Sequence, residues 1–275
     1  MPYVMRTELA EGKTKVVWST DVFDLVIVVT KDDITAGDGE KHDVIPGLGD
    51  LRNQMTCNCF TLLEKNGVKT HFSKQLQGAS FLARKCYMIP IELVARGIAY
   101  GSYLKRNPDV ASGIAFETPV VEFFLKDDHR HDPLMIWNKV LDSFKLYDAK
   151  KPVSPESFFG DLPRNTPFIP TSFDEVELLS KLLSRTFIIL RDAWRKQGVV
   201  LVDLKIEAGC DVATGELLVA DVIDNDSWRI WPHGDPAQMM DKQVYRDSDK
   251  LDPELVQKLL ANYTRVVEAT SKFLS

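Results

Sequence analysis

Cysteine is scarce in this sequence, and none of it has the spacing of a metal site. The 275 residues include four cysteines: Cys57, Cys59, Cys86 and Cys210. No Cys-x-x-Cys pair occurs, and Cys57 and Cys59 alone cannot complete a zinc site. We therefore expect four reduced thiols in a cytoplasmic protein.

Long apolar runs are absent as well. The longest of them, such as residues 25–29, have the length of a strand and are far too short to cross a bilayer. The opening stretch MPYVMRTELAEGKTK lacks the apolar core of a signal peptide. The sequence therefore predicts no membrane association.

The excess of basic residues that a nucleic-acid-binding surface needs is also missing. The chain has 34 basic and 40 acidic residues, which gives a net charge of −6. Phosphate backbones require a basic footprint, so this balance argues against nucleic acid as the main partner. A local basic pocket for a small anionic ligand remains compatible with it. The content of 44% hydrophobic and 27% charged residues is that of a globular protein long enough for two modest domains.

The first part of the chain is predicted to be rich in β-strands, with one clear helix. β-Branched runs predict strands within EGKTKVVWST and DLVIVVT, joined by a turn around Asp21. Residues 51–65 have the apolar spacing of a helix, which stops at Asn66 and Gly67. The polar residues 32–49 show no periodicity and are predicted to form a loop. Two more strands are predicted at residues 69–76 and 82–89.

From residue 91 the pattern changes. Residues 91–105 have a mixed pattern, and residues 138–171, rich in proline, aromatic and polar residues, are predicted to be an irregular excursion. An amphipathic helix is predicted over residues 173–197, with Thr171 or Ser172 as its cap. The other predicted elements are a strand at residues 120–125, a hairpin at 203–223 and helices at 236–244 and 253–274.

The strongest local signal is the stretch DLKIEAGCDVATGELLVADVIDND. Period-two alternation puts Asp203, Lys205 and Glu207 on one face of a strand. A turn within VATGE would bring Glu207 opposite Asp221, where two like charges destabilise the pairing. A divalent cation turns this repulsion into coordination, and Mg²⁺ is commonly held by one or two carboxylates together with substrate phosphates. The alternative is a salt-bridged strand face exposed to water.

Two shorter motifs supply candidate contacts for anions. In EGKTK, a glycine beside Lys13 and Lys15 could bring amide and ammonium groups to phosphates, but the P-loop spacing is absent and a charged strand start is the simpler interpretation. In PIELVARGIAYGS, Arg96 and Ser102 could share an anion, with Glu92 supporting Arg96 through a charge-assisted bond. An exposed helix face with a pair between Glu92 and Arg96 is an equal alternative.

Further polar clusters follow. KDDHRHD fits no zinc spacing, and a solvated turn is the simpler interpretation of His129 and His131. Arg229 comes directly after the acids of the hairpin, and Lys242 and Arg246 lie at i and i+4 of a predicted helix, where they could hold an anion. Together these groups suit phosphoryl transfer, in which a protein mainly positions groups and neutralises charge.

The motifs PIELVARGIAYGS, LVDLKIEAG and ADVIDNDSWRIWP, with EGKTK before them and DKQVYRD after them, resemble those of the SAICAR synthetase (phosphoribosylaminoimidazole-succinocarboxamide synthase) family. They occur in the family's order over nearly the whole chain. The resemblance implies a two-domain α+β fold, with a β-rich lobe that covers ATP over residues 1–89 and a larger α+β domain with an antiparallel sheet over residues 90–275. It also implies a cytoplasmic ligase of purine biosynthesis.

The resemblance further implies the substrates and the residues that bind them. ATP, L-aspartate and carboxyaminoimidazole ribotide (CAIR) would be the substrates and Mg²⁺ the cofactor, and a homo-oligomer is compatible with the family. The residues expected at the nucleotide are Gly12, Lys13, Thr14, Lys15, Glu207 and Asp221, the last two holding Mg²⁺. Those expected at the ribotide and the substrate anions are Asp38, Glu92, Arg96, Ser102, Asp203, Arg229, Lys242 and Arg246. Those expected at the reaction centre are Lys126, Asp132, Lys205 and Asp226.

Two positions depart from the family's usual pattern. Tyr100 precedes Gly-Ser where Thr or Ala is usual, and Ala208 follows the glutamate of D-x-K-x-E where Phe or Ile is usual. Both changes alter packing beside functional residues, although the charged groups are all present.

Two other functions would use the same groups. One is a kinase-like phosphotransferase that acts on a sugar or inositol phosphate. The other is a nucleotide-binding regulator without turnover. The destination of the phosphate separates the first from a ligase, and tight ATP binding without turnover would favour the second.

Overall fold

The computed structural model describes residues 3–274, apart from the side chain of Asp38, so the prediction for that side chain lies outside the described part. The α-helices are α1 (Leu48–Lys65), α2 (Ser102–Arg106), α3 (Phe173–Lys196), α4 (Gln243–Arg246) and α5 (Pro253–Ser271). The strands are β1 (Glu8–Glu11), β2 (Lys15–Ser19), β3 (Leu25–Thr30), β4 (Asp33–Ala36), β5 (Lys41–Val44), β6 (Phe72–Gln75), β7 (Ser80–Arg84), β8 (Cys86–Met88), β9 (Ile91–Ile98), β10 (Ala115–Leu125), β11 (Leu134–Asn138), β12 (Ser143–Tyr147), β13 (Phe158–Asp161), β14 (Val199–Asp211), β15 (Leu217–Ala220) and β16 (Trp228–Pro232).

The beginning of the chain forms a five-stranded antiparallel sheet in the order β1-β2-β3-β7-β6. The run LVIVVT forms β3 because β-branched side chains suit an extended backbone. Helix α1 packs on this sheet and buries Met55, Phe60 and Leu63. Gly67 follows the helix with φ of 72°, the left-handed conformation that commonly ends a helix.

The larger sheet has the main order β13-β12-β11-β10-β9-β14-β15, and β16 and β8 also pair with β14. Helix α3 packs on β9 and β14. Phe187 of α3 is buried, and a Cβ placed on Gly97 of β9 would come within 2.8 Å of its ring. The fold is therefore α+β with antiparallel sheets, as predicted. The boundary at residues 89 and 90 stays a prediction.

The predicted helices at residues 51–65, 173–197 and 253–274 are confirmed as α1, α3 and α5. The predicted cap of α3 is also present, because Ser172 Oγ accepts the N–H of Glu175 at 3.3 Å. The carboxylate of Glu175 in turn accepts the N–H of Thr171 at 2.6 Å. The helix predicted at residues 236–244 is instead divided into a 3₁₀ turn, Pro236–Gln238, and α4.

The segment 32–49, predicted to be a loop, contains the hairpin formed by β4 and β5. Tyr245, on α4, holds this hairpin: its hydroxyl donates to Asp43 at 2.7 Å, and its carbonyl accepts from Lys41 Nζ at 2.8 Å. Local sequence patterns do not indicate the hairpin because these contacts join residues 202 or more positions apart.

Residues 138–171 and 91–105 are also more regular than predicted. Strands β12 and β13 lie in the supposed irregular excursion and extend the large sheet beyond β11. Residues 91–98 form the regular strand β9. The interpretation of Glu92 and Arg96 as a helical pair is therefore wrong.

The hairpin of β14 and β15 has a register one residue away from the prediction. Glu207 pairs with Ala220, so it does not face Asp221 directly. Regular alternation would point Asp221 to the opposite face from Ala220. Asp221 instead has φ of 67°, which ends the strand and redirects its side chain. The four cysteines are free thiols, as predicted. Among the described helices, none is both long enough and apolar enough to cross a membrane.

Replacing Phe187 with alanine tests the packing of α3 on β9. Phe187→Ala should lower the free energy of unfolding by about 3–5 kcal/mol, because the ring fills the space over Gly97 and leaves a cavity when removed. Urea unfolding followed by circular dichroism measures the change. Leu178→Ala, at a position 54% exposed on the same helix, is the control and should change stability by less than about 0.5 kcal/mol. Equal effects of the two substitutions would contradict this packing.

Candidate active site

The pairing of three strands builds a polar floor on one face of the large sheet. Val94 and Arg96 share a face of β9 because side chains alternate along a strand. Asp203 of β14 lies opposite Arg96, and Lys205 lies opposite Val94. Asp203 also pairs with Arg229 of β16. The predicted alternation of charged side chains along β14 thus places them on the same face as the Arg96 side chain.

A cavity of about 630 Å³ lies over this floor, and we call it the anion cavity. The basic residues among its described lining are Lys13, Arg96, Arg106, Lys150, Lys205, Arg229, Lys242 and Arg246. The acidic residues among them are Glu92, Asp132, Asp203 and Asp226. Ser102 and the tip of the β4–β5 hairpin, Thr35, Ala36, Gly37 and Gly39, also line it. Basic groups outnumber acidic ones by two to one, so the cavity suits an anionic ligand.

A second cavity, of about 500 Å³, has an apolar wall and a charged end, and we call it the apolar cavity. The wall includes Val17, Val26, Val28, Met88 and Ile89. The charged end consists of Lys15, Lys126, Glu207 and Asp221. Although Glu207 and Asp221 are not paired across the hairpin, both carboxylates therefore reach the same cavity. An apolar wall with a few polar groups at one end suits a flat ring that carries a charged substituent.

Glu207 lies where the two cavities meet. Lys205 Nζ lies 3.5 Å from Glu92 in the anion cavity and 3.4 Å from Glu207 in the apolar cavity. Lys126 Nζ donates to both carboxylate oxygens of Glu207 at 2.8 Å. Lys15 forms an ion pair with Asp221 nearby. A group could pass between ligands in the two cavities at this junction.

The pKa values of three groups at the junction, Glu207, Lys15 and Lys205, are shifted and leave them charged at neutral pH. Burial raises the pKa of Glu207, but the lysines around it, Lys205 first, outweigh burial and lower the pKa to about 2. Burial lowers the pKa of Lys15 to about 8, partly opposed by Glu207. Burial would also lower the pKa of Lys205, but Glu92 and Glu207 raise it above its ordinary value. Fixed charges of this kind suit the binding of phosphates and cations.

Arg96 and Ser102 lie side by side, but the carboxylate that supports Arg96 is not the predicted one. Arg96 Nη2 donates to Ser102 Oγ at 3.3 Å. The other partners of Arg96 are Glu122 on β10, through Nε, and Asp203, at 3.2 Å from Nη1. Glu92 was expected to support Arg96, but it forms its ion pair with Lys205 instead. The error follows from the helix interpretation, since positions 92 and 96 are ~13 Å apart along a strand.

Glu122 and Asp203 each join two arginines. Glu122 Oε1 accepts from Arg106 Nε at 3.2 Å and Nη2 at 2.6 Å, while its Oε2 accepts from Arg96. Asp203 Oδ2 accepts from both Arg96 and Arg229. Three arginines thus share two carboxylates, which leaves a positive charge for a ligand. Arg229 Nε is buried and has no hydrogen-bond partner among the described residues, so an acceptor on a ligand would satisfy it.

Asp226, which also lines the anion cavity, lies between two cations. Its Oδ2 accepts from Arg52 Nη2 at 3.0 Å and from Lys242 Nζ at 2.7 Å. Arg52 is buried on α1 and also donates to Asp224 at 2.8 Å. Burial would raise the pKa of Asp226, but Arg52 and Lys242 lower it to about 2. Its Oδ1 is buried without a hydrogen-bond partner in the described part of the chain, so it is available to a donor on a ligand.

The EGKTK motif spans the junction. Lys13 and Thr14 line the anion cavity, whereas Lys15 lines the apolar cavity. Gly12 is not among the described lining residues of either cavity, and its N–H donates to the Lys15 carbonyl at 2.9 Å. The motif therefore reaches both cavities, and its role at ATP stays a prediction.

The other predicted residues also lie at the two cavities. Lys242 caps the start of α4 and Arg246 ends it, and both side chains line the anion cavity. Asp132 lines the same cavity, and its Oδ1 accepts the N–H of Asp127 at 2.8 Å. Lys126 reaches the apolar cavity. The site thus brings together residues from both ends of the chain, while their individual roles stay predictions.

Arg52, Arg106 and Glu122 were not recognised from the sequence. Arg52 did have a signal, because it lies seven positions before the buried Cys59 and therefore falls on the apolar stripe of α1. A charge on a buried helical face needs a partner in the interior. Glu122 is likewise the single charge within VVEFFL, whereas Arg106 has no comparable local signal.

Comparison with known proteins gives consistent results. A family model described as SAICAR synthetase matches residues 8–260. The chain is 45% identical over 267 residues to phosphoribosylaminoimidazole-succinocarboxamide synthase of Chloroflexus aurantiacus, with 96% of each chain covered. It is 41% identical over 268 residues to the human bifunctional phosphoribosylaminoimidazole carboxylase/phosphoribosylaminoimidazole succinocarboxamide synthetase, covering 97% of this chain and 59% of the human protein. A solved structure of a type-2 SAICAR synthetase in complex with ADP superposes with a TM-score of 0.76 at 31% identity, covering 96% of this chain and 97% of the other.

Replacing Arg52 with methionine tests the charge network beneath Asp226. At pH 7, Arg52→Met should lower the free energy of unfolding by about 3–5 kcal/mol, because Asp224 and Asp226 lose a buried cation. The low folded pKa of Asp226 stabilises the wild type above its unfolded value of about 3.9, and this stabilisation is lost as the pH falls towards 2. In the variant, burial of Asp226 is opposed by one cation fewer, so the pKa of this carboxyl should rise and the deficit should be smaller at pH 5 than at pH 7. Urea unfolding at the two pH values measures it.

Arg191→Met is the matched control for this variant. It removes a partly exposed contact with Asp192 at 3.1 Å and should change stability by less than about 0.5 kcal/mol. A deficit in Arg52→Met that does not depend on pH would contradict the electrostatic role and indicate lost packing instead.

Proposed function

The chain belongs to the SAICAR synthetase family and is a ligase of purine biosynthesis, and we propose that it joins L-aspartate to the carboxylate of CAIR at the expense of ATP. The products are the succinocarboxamide ribotide (SAICAR), ADP and phosphate. The four free cysteines support a cytoplasmic location for this reaction.

The reaction requires an activated carboxylate, because an amine that attacks a carboxylate directly would have to expel oxide. In the first step, an oxygen of the CAIR carboxylate bonds to the terminal phosphorus of ATP, and the bond from that phosphorus to ADP breaks. In the second step, the neutral amine of aspartate attacks the acyl carbon, the carbon–oxygen bond breaks with its electrons leaving on phosphate, and the proton lost by the nitrogen passes to the departing phosphate. The protein contributes mainly position and charge stabilisation.

The meeting of the two cavities at Glu207 is the observation that carries this proposal. The apolar wall formed by Val17, Val28 and Met88 suits an adenine ring, and the charged end suits its phosphates. Lys126 and Lys205 lie at the junction, where the phosphoryl group would cross to the ribotide. The complex of a 31% identical relative with ADP supports the placement of a nucleotide.

Mg²⁺ would be held by Glu207 and Asp221 together with the phosphates of ATP. The donors fit this ion, because both are carboxylates at the charged end of one cavity and Mg²⁺ commonly takes one or two carboxylates plus substrate phosphates. Among the described side chains of residues 3–274, which do not include that of Asp38, no group of three or more His, Cys, Asp or Glu is placed to hold a metal. When bound, the ion draws charge from the phosphates.

The phosphate of CAIR would lie at the end of the anion cavity where Arg96, Ser102 and Arg229 meet, because this end carries the unbalanced positive charge. The aspartate amine is a suitable donor for the free Oδ1 of Asp226. With a pKa of about 2, Asp226 orients this amine and stabilises the positive charge that develops on its nitrogen during the attack, rather than acting as the base. Lys242, beside Asp226, is then near the carboxylates of aspartate.

The requirement for three substrates tests the function directly. With Mg²⁺, ATP, CAIR and aspartate, the protein should form SAICAR and release one phosphate per product, because the acyl phosphate is consumed only when the amine is present. A coupled phosphate assay with chromatographic detection of SAICAR measures both. Leaving out any one substrate should abolish release.

Two outcomes would overturn this assignment. Phosphate that remains on the acceptor instead of appearing in solution would indicate the kinase-like phosphotransferase. Equal turnover with an amine that lacks the second carboxylate would contradict aspartate as the substrate.

Glu207→Gln tests the proposed metal ligand. The variant removes one negative charge at constant shape, so activity should fall on the order of 10³-fold while the circular dichroism spectrum stays unchanged. Glu216→Gln, at the far end of the same hairpin where Glu216 contacts Lys69, is the control and should keep nearly full activity. A Glu207→Gln variant with wild-type activity and wild-type Mg²⁺ dependence would exclude this role.

A further inference from the structure

We propose that Lys150, on the loop between β12 and β13, is a further binding residue for the phosphate of the ribotide. This inference rests on the function proposed for the anion cavity. Lys150 belongs to the segment 138–171 that sequence patterns indicated to be irregular, and it was not among the residues expected at the site. In the fold, Lys150 and its neighbour Ala149 line the anion cavity.

The loop is attached to the floor of the cavity through Ala149. The carbonyl of Ala149 accepts from Arg106 Nη1 at 2.6 Å. The Ala149 side chain packs against a small apolar cluster of Val94, Phe124 and Leu134. Val94 and Phe124 also line the anion cavity. The residue immediately before Lys150 is therefore fixed to the same surface on which the ligand would lie.

Asp148 fixes the backbone of Lys150 itself. Asp148 Oδ1 accepts the N–H of Lys150 at 2.8 Å, and the N–H of Asp148 donates to the Ser157 carbonyl at 2.7 Å. The carboxylate of Asp148 forms its ion pair with Lys151, at 3.2 Å, rather than with Lys150. The two adjacent lysines of the loop therefore differ. Lys151 forms an ion pair with Asp148, whereas Lys150 lines the anion cavity.

The charge of Lys150 interacts with that of Asp148, but only at a distance longer than an ion pair. Arg96, Arg229 and Lys242 each contact a carboxylate. The ammonium group of Lys150 makes no ion pair with the described residues. A ligand with negative charge would be its natural partner.

The position of the loop indicates which anionic group of the substrates Lys150 would contact, namely the phosphate. Arg106, which binds the Ala149 carbonyl, shares Glu122 with Arg96. The loop of Lys150 is therefore connected, through Ala149 and Arg106, to the arginines that share Glu122. A phosphomonoester dianion at these arginines would be held from the floor by Arg96 and from the loop by Lys150.

Lys150→Met tests this assignment, with Lys151→Met as the matched control. Both variants remove one positive charge from the same loop, but Lys151 lies outside the described lining of the cavity. Steady-state assays of the full chain should give a KM for CAIR raised about tenfold in Lys150→Met, the loss expected for one exposed charge-assisted contact, with kcat and the KM for ATP within about twofold of wild type. Lys151→Met should leave all three constants unchanged, and Lys150→Arg should keep most of the affinity.

Ribose 5-phosphate serves as a probe that needs no turnover. Calorimetric titration should show it binding about tenfold more weakly to Lys150→Met than to wild type or Lys151→Met. Equal binding by Lys150→Met and Lys151→Met, or a loss of kcat without a change in KM, would overturn the assignment. A wild type that binds ribose 5-phosphate but forms no SAICAR would instead refute the proposed function, and the comparison of the two variants would still decide the role of Lys150 in holding a phosphate.

Discussion

A carboxylate held between two cations is the interaction on which both cavities depend. It recurs at four positions: Asp203 between Arg96 and Arg229, Glu122 between Arg96 and Arg106, Glu207 between Lys126 and Lys205, and Asp226 between Arg52 and Lys242. Removing one charge from water is costly, and a single partner offsets only part of that cost. At Glu207 and Asp226 the cationic partners outweigh burial and lower the pKa of the carboxyl to about 2. The surplus of cations then faces the ligands, so the site is organised for anions before they bind.

The part of the site that sequence could predict is the part set by local backbone geometry. Alternation along β14 was enough to put Asp203, Lys205 and Glu207 on one face, since that depends only on an extended backbone. The helices were predictable for a similar reason, because apolar spacing and caps such as Ser172 are local. The predicted pairing of Glu207 with Asp221 was wrong by one residue, because Glu207 pairs with Ala220. The turn that joins Cys210 to Leu217 sets this register. The left-handed backbone at Asp221 acts after this pairing and only redirects the side chain of Asp221.

The remaining features depend on neighbours that are distant in sequence. The support of Arg96 by Glu122 rather than Glu92 follows from the pairing of β9 with β10, which a single strand does not specify. The β4–β5 hairpin is stabilised by Tyr245, and the pairing of Asp226 depends on Arg52, 174 residues earlier. The motifs that resemble the family therefore identified most of the charged residues of the site. The contacts that hold those residues in place are seen only in the tertiary structure.

The thirteen-residue strand β14 passes beneath both cavities without interruption. The distance between Asp203, in the anion cavity, and Glu207, in the apolar cavity, is therefore set by four residues of extended backbone, or roughly 13 Å. Because Asp203, Lys205 and Glu207 lie on one strand, their spacing does not depend on the loops that line the cavities. The strand thus fixes the distance between these side chains. Inserting one residue between Asp203 and Glu207 would turn the side chains on one side of the insertion towards the hydrophobic interior.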